Sequence, residues 1–378
     1  MAPMWGSRGR RDWTAETVCR NIEKPGRGPK AGMGVTIMEY GYYEQSGNPF
    51  RGAALEELKA FLARMGLTYD GGIEHTVLIR DGEERITAAA SLQGSVIKCV
   101  AVDPSAQGEG LTATLITALR REALTRGQRH LFLYTKPQNR AQFTALGFYE
   151  IARTGTVLLM EDKRTGFMNW AEGVRRPDAA GVIGAVVMNC NPMTLGHRYL
   201  VEQAAARCDF LYLFVVSEDR SAVPAADRRA IVEAAVGDMP HVAVAGTDRY
   251  LISSATFPDY FLKDKTQAGA VWTDLDIAVF CRLAKKLGIT RRFVGSEPFC
   301  PVTAAYNRAM AAALPEQGIE LVELTRLERE GAAISATAVR ELIRTGQWQA
   351  IRPLVPETVY AYFAKGENRA RVLERMGQ

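Results

Sequence analysis

The stretch VIGAVVMNCNPMTLGH, residues 182–197, decides the fold of this chain. Val182–Met188 is an unbroken apolar run of the kind expected for a parallel strand buried on both faces. Asn189–Thr194 reads as a loop around Pro192. From Leu195 a helical pattern runs to about Arg207, with Leu200, Ala204 and Cys208 on one side. Phe210–Val216 is a second apolar strand, so the three pieces fit one right-handed strand–helix–strand unit. Thr194 and His197 are separated by one helical turn and are expected to face one ligand at the helix start, where unpaired N–H groups and the dipole favour phosphate. Gly196 lacks a side chain and is expected to let a nucleotide lie against the backbone, with Asn191 in the same loop. Taken alone, His197 reads first as a residue that caps or packs the helix start.

It is not alone. Near the other end stands Ile334-Ser335-Ala336-Thr337-Ala338-Val339-Arg340, a second loop-to-helix junction, with Ser335 as N-cap and with hydroxyls and a guanidinium suited to phosphate oxygens. The pair, T-x-G-H early and I-S-x-T-x-x-R late, resembles the nucleotidyltransferase superfamily defined by H/T-x-G-H. The resemblance implies a Rossmann-like domain with a parallel sheet, in which His197 stabilises the transition state at the α-phosphate. Ser335, Thr337 and Arg340 then hold the β- and γ-phosphates, and Thr194 occupies the place of the motif's first residue. Gly295, Ser296 and Glu297, just after the strand Phe293–Val294, sit where such folds bind adenosine; Glu297 also reads as a plain surface acid. Lys263 is a candidate for added positive charge near the phosphates and reads equally well as a solvated lysine.

Upstream lies a different pattern. Leu55, Leu58, Phe61, Leu62 and Met65 have helical spacing up to Gly66, and Thr76–Arg80 and Arg85–Ser91 read as short strands. Ser95–Val102 is a strand stopped by Pro104. Gln107-Gly108-Glu109-Gly110 is a tight glycine loop, and Leu111–Thr125 is a helix. A strand at His130–Tyr134 and a segment from Asn139 to Phe148 follow. By itself the glycine loop is as readily a plain turn. In this order the elements resemble the GNAT acetyltransferase superfamily. That likeness implies an N-terminal GNAT-like acyltransferase fold over 35–169 whose loop residues Gln107, Gly108 and Gly110 grip the pyrophosphate of a coenzyme-A-like arm. Thr112 stands where the family's loop has a small residue, and no general base for an amine can be named.

The expected organisation is therefore a two-domain protein, α+β then α/β: a basic, flexible extension over 1–34, the GNAT-like domain over 35–169, a linker over 170–180 with Arg175-Arg176-Pro177-Asp178 at its core, and the nucleotidyltransferase domain with a C-terminal helical tail over 181–378. The formal charge of +5 is concentrated at the start, where residues 1–34 carry seven Lys and Arg against three acids. The rest is nearly neutral, without the basic stripe of a nucleic-acid binder. The six cysteines are scattered singly and set no metal-ligand spacing with the four histidines. No apolar run is long enough to span a membrane. A soluble, reduced, cytoplasmic protein is expected.

A GNAT-like domain ahead of an H/T-x-G-H nucleotidyltransferase resembles the citrate lyase ligase family over everything after residue 35. Residues 97–102, 133–137, 253–258, 260–263 and 293–300 (IKCVAV, LYTKP, SSATFP, YFLK, FVGSEPFC) agree with that likeness. It implies a ligase that uses ATP, with Mg2+, to join acetate to the thiol of the phosphoribosyl-dephospho-coenzyme-A group on the acyl carrier subunit of citrate lyase, releasing AMP and pyrophosphate. Two other readings share parts of the pattern. An adenylyltransferase of coenzyme A or NAD biosynthesis has the late and early motifs but no need of the first half. An acetyl-coenzyme-A-dependent acetyltransferase would use the second half only as a nucleotide sensor.

Overall fold

The computed structural model describes residues 35–37, 41–175, 181–219, 221–251, 268–297, 301–329 and 332–377. The extension 1–34 and residues 176–180 of the linker lie outside them. The first half is an eight-stranded sheet: β1 (Val35–Ile37), β2 (Tyr43–Gly47), β3 (His75–Arg80), β4 (Ile86–Gln93), β5 (Val96–Val102), β6 (Phe132–Thr135), β7 (Tyr149–Arg153) and β8 (Leu158–Glu161), in the order β1-β2-β3-β4-β5-β6-β8-β7. Three helices accompany it, α1 (Gly52–Arg64), α2 (Leu111–Thr125) and α3 (Arg140–Ala145). Successive side chains of a strand point to opposite faces. Val77 and Ile79 of β3 and Ala88 and Ala90 of β4 share a cluster with Leu115, Ile116 and Leu119 of α2, whereas Leu78 and Ala89 share one with Leu58, Phe61 and Leu62 of α1. Helices thus cover both faces, which is why the central residues of these strands are buried and apolar on both sides rather than alternating.

Neighbouring strands are antiparallel except β5 and β6, which are parallel and pair only at Val96↔Phe132 and Ile97↔Leu133. Between Ala89 and Ser91 of β4 the register shifts, so that Ser91 faces Lys98 while Ala89 faces Ala101. The extra residue on β5 is a bulge, with Cys99 at φ 53. Beyond it β5 leaves β6, and a cleft opens between the two strands.

The second half is a five-stranded sheet of β9 (Ile183–Met188), β10 (Phe210–Val215), β11 (Val242–Gly246), β12 (Arg291–Gly295) and β13 (Glu320–Leu324), all parallel, in the order β11-β10-β9-β12-β13. Around it run α4 (Gly166–Glu172), α5 (Leu195–Ala205), α6 (Ala225–Ala235), α7 (Ala268–Leu287), α8 (Pro301–Ala313), α9 (Ala336–Arg344), α10 (Glu357–Ala364) and α11 (Gly366–Gly377), with a short hairpin of β14 (Glu328–Arg329) and β15 (Ala332–Ala333) before α9. Strand order reverses between β9 and β12, the switch point at which open parallel sheets form their binding crevice. These two strands pair only at Arg291↔Gly184 and Arg292↔Ala185, so their C-terminal ends diverge.

The two halves share one apolar core in which Ile151 and Phe167 meet Phe210, Tyr212 and Leu283. Polar contacts cross the same seam. The buried Glu161 carboxylate, 3% exposed, accepts from Tyr250 Oη at 2.8 Å and from Phe167 N at 2.8 Å, and meets His130 Nε2 at 2.7 Å. Trp170 stacks on Tyr250 at 4.8 Å and donates to the Gly246 carbonyl at 3.3 Å, while Arg282 of α7 donates to the Glu150 carbonyl at 2.7 Å. Replacing Glu161 by Ala orphans two buried donors at once, and we expect a loss of about 3 kcal/mol in stability. Urea unfolding of the full chain checks this; a change below about 0.5 kcal/mol would show that the seam does not depend on this carboxylate.

Candidate active site

The crevice at the switch point is built from helix starts. Thr194 is the N-cap of α5, extended at φ −114 and ψ 168, and its side chain accepts from His197 N at 3.3 Å. His197 returns the contact: its Nδ1 accepts from Thr194 N at 3.0 Å and lies 2.9 Å from Thr194 Oγ1. This is a capping box in which an imidazole takes the place usually held by a carboxylate. A backbone N–H can only donate, so Nδ1 is the unprotonated nitrogen and Nε2 carries the hydrogen. Burial, helped by the nearby Arg326 guanidinium, pushes the imidazole pKa down to about 4. His197 is therefore a neutral residue at pH 7 whose free N–H donor is Nε2.

Sequence spacing put both Thr194 and His197 on the ligand. The structure instead buries Thr194, 1% exposed, behind the imidazole that it orients. The reason is that an N-cap lies outside the helix, and its side chain turns back over the first turn.

The late motif arrives at the same place. Ser335 caps α9, accepting from Ala338 N at 3.1 Å. Arg340 donates Nη1 to the Asn191 carbonyl at 2.7 Å and Nη2 to Thr337 Oγ1 at 3.0 Å, and its burial lowers its pKa. A Cβ on Gly196 would stand 3.1 Å from the Ile334 carbonyl oxygen. The absence of a side chain at Gly196 thus serves the close approach of the two helix starts, where the sequence reading had given the space to a nucleotide. Asn191 is likewise structural in part: its Oδ1 accepts from Val223 N at 2.9 Å, which ties down the loop after β10. His197, Ser335, Thr337 and Arg340 are brought together.

At the end of β12, Gly295 packs against Leu200 and its carbonyl accepts from Asn307 Nδ2 at 3.1 Å. Ser296 donates its N–H to the Leu324 carbonyl at 2.8 Å. Its own carbonyl accepts from Arg326 Nε at 2.6 Å, and the Glu297 carboxylate, 8% exposed, pairs with Arg326 Nη2. Glu297 is thus not the solvated surface acid of the bland reading. Lys263 lies outside the described residues, as do residues 252–262.

Sequence reasoning missed Arg326, which follows β13 and carries no motif. It also missed Arg228, a fully buried guanidinium that donates to Asn189 O at 2.8 Å and to the Glu218 carbonyl, and Arg375, which holds Ser221 O at 3.0 Å and Asp219 Oδ1 at 3.0 Å. All three hold loops at the C-terminal ends of strands from elements remote in sequence. No local pattern distinguishes them from surface arginines.

The first half holds a second cleft, of about 910 Å3, where β5 and β6 part. Val100, Val102, Leu133 and Tyr134 line its walls, and Gln107, Gly108 and Gly110 its rim. Gly108 and Gly110 have φ of 93 and 75, backbone conformations that L side chains avoid. Gly110 is the N-cap of α2, so the rim is a helix start whose first N–H groups face the cleft. Thr112 lines the cleft too; its hydroxyl accepts from Gln142 Nε2 at 3.0 Å, so the side chain is engaged by α3. Arg64 and Lys136 supply positive charge at the lining. Burial, together with the Asp276 carboxylate of α7, raises the Tyr134 phenol pKa. Among the described residues no three His, Cys, Asp or Glu side chains come together to hold a metal ion, and no helix is long and apolar enough to cross a membrane.

Both halves of the chain match known protein families. Residues 71–151 match the acetyltransferase (GNAT) family, and residues 183–363 match the citrate lyase ligase C-terminal domain. The citrate (pro-3S)-lyase ligase of Klebsiella pneumoniae is 43% identical over 310 residues, which cover 80% of this chain and 90% of that protein. Those of Escherichia coli strain K12 and Haemophilus influenzae are 40% and 38% identical, each over 82% of this chain. With likeness of that extent running through both halves, the chain belongs to the citrate lyase ligase family.

Proposed function

We propose that this ligase acetylates the thiol of the phosphoribosyl-dephospho-coenzyme-A group on the acyl carrier subunit of citrate lyase, by way of acetyl-adenylate. The observation that carries this reading is the meeting of two helix starts, through Gly196 against Ile334 and Arg340 against Asn191, with the neutral, oriented His197 in the first turn of one of them. The nucleotide substrate is MgATP, the metal entering with the triphosphate. Acetate is a poor acyl donor because its charge repels a thiolate and oxide is a bad leaving group. In the first step a carboxylate oxygen of acetate attacks the α-phosphorus, and the bond to the β-phosphate breaks with its electron pair leaving on pyrophosphate. No proton moves. Catalysis there is positioning and charge stabilisation. Nε2–H of His197 donates to a non-bridging α-phosphate oxygen, while Ser335, Thr337, Arg340 and the start of α9 receive the leaving pyrophosphate. Gly295 to Glu297 border the adenosine. In the second step the thiol sulfur attacks the acetyl carbon, AMP leaves, and the thiol proton passes to solvent.

The cleft between β5 and β6 suits the other substrate. Its rim offers a helix start and two cations to a pyrophosphate, and its apolar walls suit a pantetheine-like chain. On this reading the first half docks the arm. The cytoplasm, where such a carrier is made, is the expected compartment.

Two expectations follow. Acetate-dependent exchange of pyrophosphate into ATP should occur without any carrier, and His197→Ala should lower it by at least 100-fold. Gly108→Ala with Gly110→Ala should leave that exchange within about twofold yet raise the KM for the carrier at least tenfold, since both positions need positive φ; equal loss of both activities would refute the division of labour. Separately, the imidazole should titrate near pH 4 with Nε2 protonated above it. Protonation puts a hydrogen on Nδ1 facing Thr194 N and breaks the capping box. The unfolded chain takes up this proton at a higher pH than the folded one, so stability contributed here is full above the ordinary histidine range and is lost as the pH falls toward 4. Nitrogen-detected NMR of the imidazole reads this; a midpoint above 6 would contradict it.

A further inference from the structure

The geometry points to Arg326 as a further catalytic residue of the adenylation step: its guanidinium, fixed at the crevice by Glu297 and the Ser296 carbonyl, supplies positive charge to the α-phosphate from the side facing His197. This inference rests on the adenylation reading above. Nothing in the T-x-G-H or I-S-x-T-x-x-R motifs includes this position, which comes two residues after β13 ends at Leu324.

Three observations carry it. First, the side chain is held rather than free: Nε donates to Ser296 O at 2.6 Å, and Nη2 pairs with the buried Glu297 carboxylate. These bonds use one edge of the guanidinium and leave the Nη1 edge for another acceptor. Second, its charge reaches the imidazole of His197, on which it acts alongside burial. Of the other charged groups nearby, Glu297 is already paired with Arg326, and Arg340 is turned to Asn191 and Thr337. Third, Arg326 follows β13 and His197 sits in the first turn of α5, which follows β9, so the two approach the switch point from strands on opposite sides of β12. An α-phosphate between them meets a cation on one side and a neutral N–H on the other. During transfer the charge on its equatorial oxygens is spread, and a fixed cation stabilises it without reorganising. The same cation disfavours protonation of His197, so the donor tautomer persists at neutral pH. Glu297 is then a positioning residue, acting through Arg326.

The test uses the full chain with Arg326→Gln, Arg326→Lys and Glu297→Gln. A non-hydrolysable ATP analogue in magnesium buffer, titrated by calorimetry without acetate, should bind at least tenfold more weakly to R326Q. Exchange with acetate should fall about 100-fold in kcat/KM. R326K should recover part of both, and E297Q should raise the KM for ATP more than it lowers kcat. In R326Q the imidazole of His197 should titrate at higher pH, a shift that mere loosening of the fold would not give while the thermal transition stays in place. Unchanged analogue affinity and an unchanged imidazole midpoint in R326Q would overturn the role of Arg326 whatever acid is used. If the wild type shows no exchange with acetate while R326Q still loses affinity for the analogue, Arg326 keeps its role and acetate is removed from the proposed reaction.

Discussion

The site depends on one short-range contact, the approach of the Ile334 carbonyl to Gly196 at the start of α5. A methyl group at Gly196 would intrude to 3.1 Å on that oxygen. Because the position is bare, the loop entering α9 lies directly against the loop leaving β9, and Arg340 can reach back to the Asn191 carbonyl. Two helix starts, each the positive end of its helix dipole, then lie side by side. Separated by a few ångströms more, the same residues would lie on two unconnected patches of surface; together they border one crevice.

Charge is arranged around this contact with restraint. The fixed cations Arg326 and Arg340 and the buried Arg228 each have carbonyl or carboxylate partners, so the apo protein does not hold a bare cluster of like charges. His197 is kept neutral and oriented by its own N-cap. A neutral donor costs less to bury than an imidazolium and still offers a directed N–H. The loop after β10 is held by Arg228 of α6 and by Arg375 of the last helix, and Asn191 ties it to the loop after β9. Thus a C-terminal helix helps to position a loop at the end of β10.

Much of this was legible before any coordinates. The apolar runs that became β9 and β10, the glycine loop and the helix Leu111–Thr125 rest on local rules of burial, turn chemistry and periodicity, and they appear where those rules place them. The two capped helix starts were legible for the same reason, since capping residues sit next to the helices they cap. Other features were not. The i, i+3 spacing of Thr194 and His197 implies a shared face only inside a helix; Thr194 precedes it, and so turns inward. Gly196 had two uses, and only the path of a segment more than a hundred residues away decides between them. Helix α7 was missed because it is packed on several sides: Leu275, Ile277, Val279, Phe280 and Leu283 are all buried, which blurs the single apolar stripe that marks a helix at a surface. Arg326 had no local signal at all. Its partners come from a different strand, and pairing between strands is a tertiary fact.

The seam explains why the two halves are one chain with a shared core rather than beads on a linker. Residues of the first half's last strands and of α4 are buried against α7 and β10, and the Glu161 carboxylate collects donors from both sides. Such a joint fixes the cleft of the first half relative to the crevice of the second. On the proposed reading that rigidity matters chemically. An acyl adenylate is reactive toward water, so its thiol acceptor must reach it more readily than solvent does, and proximity is worth most when the partners are held in one geometry. Tyr134 lines the cleft and lies within the field of Asp276. Asp276 in turn bonds Tyr306 of α8, and the neighbouring Asn307 holds the Gly295 carbonyl at the end of β12. The helix whose charge acts on the cleft is thus hydrogen-bonded to the helix that braces the edge of the crevice, which ties the two spaces to one packed framework.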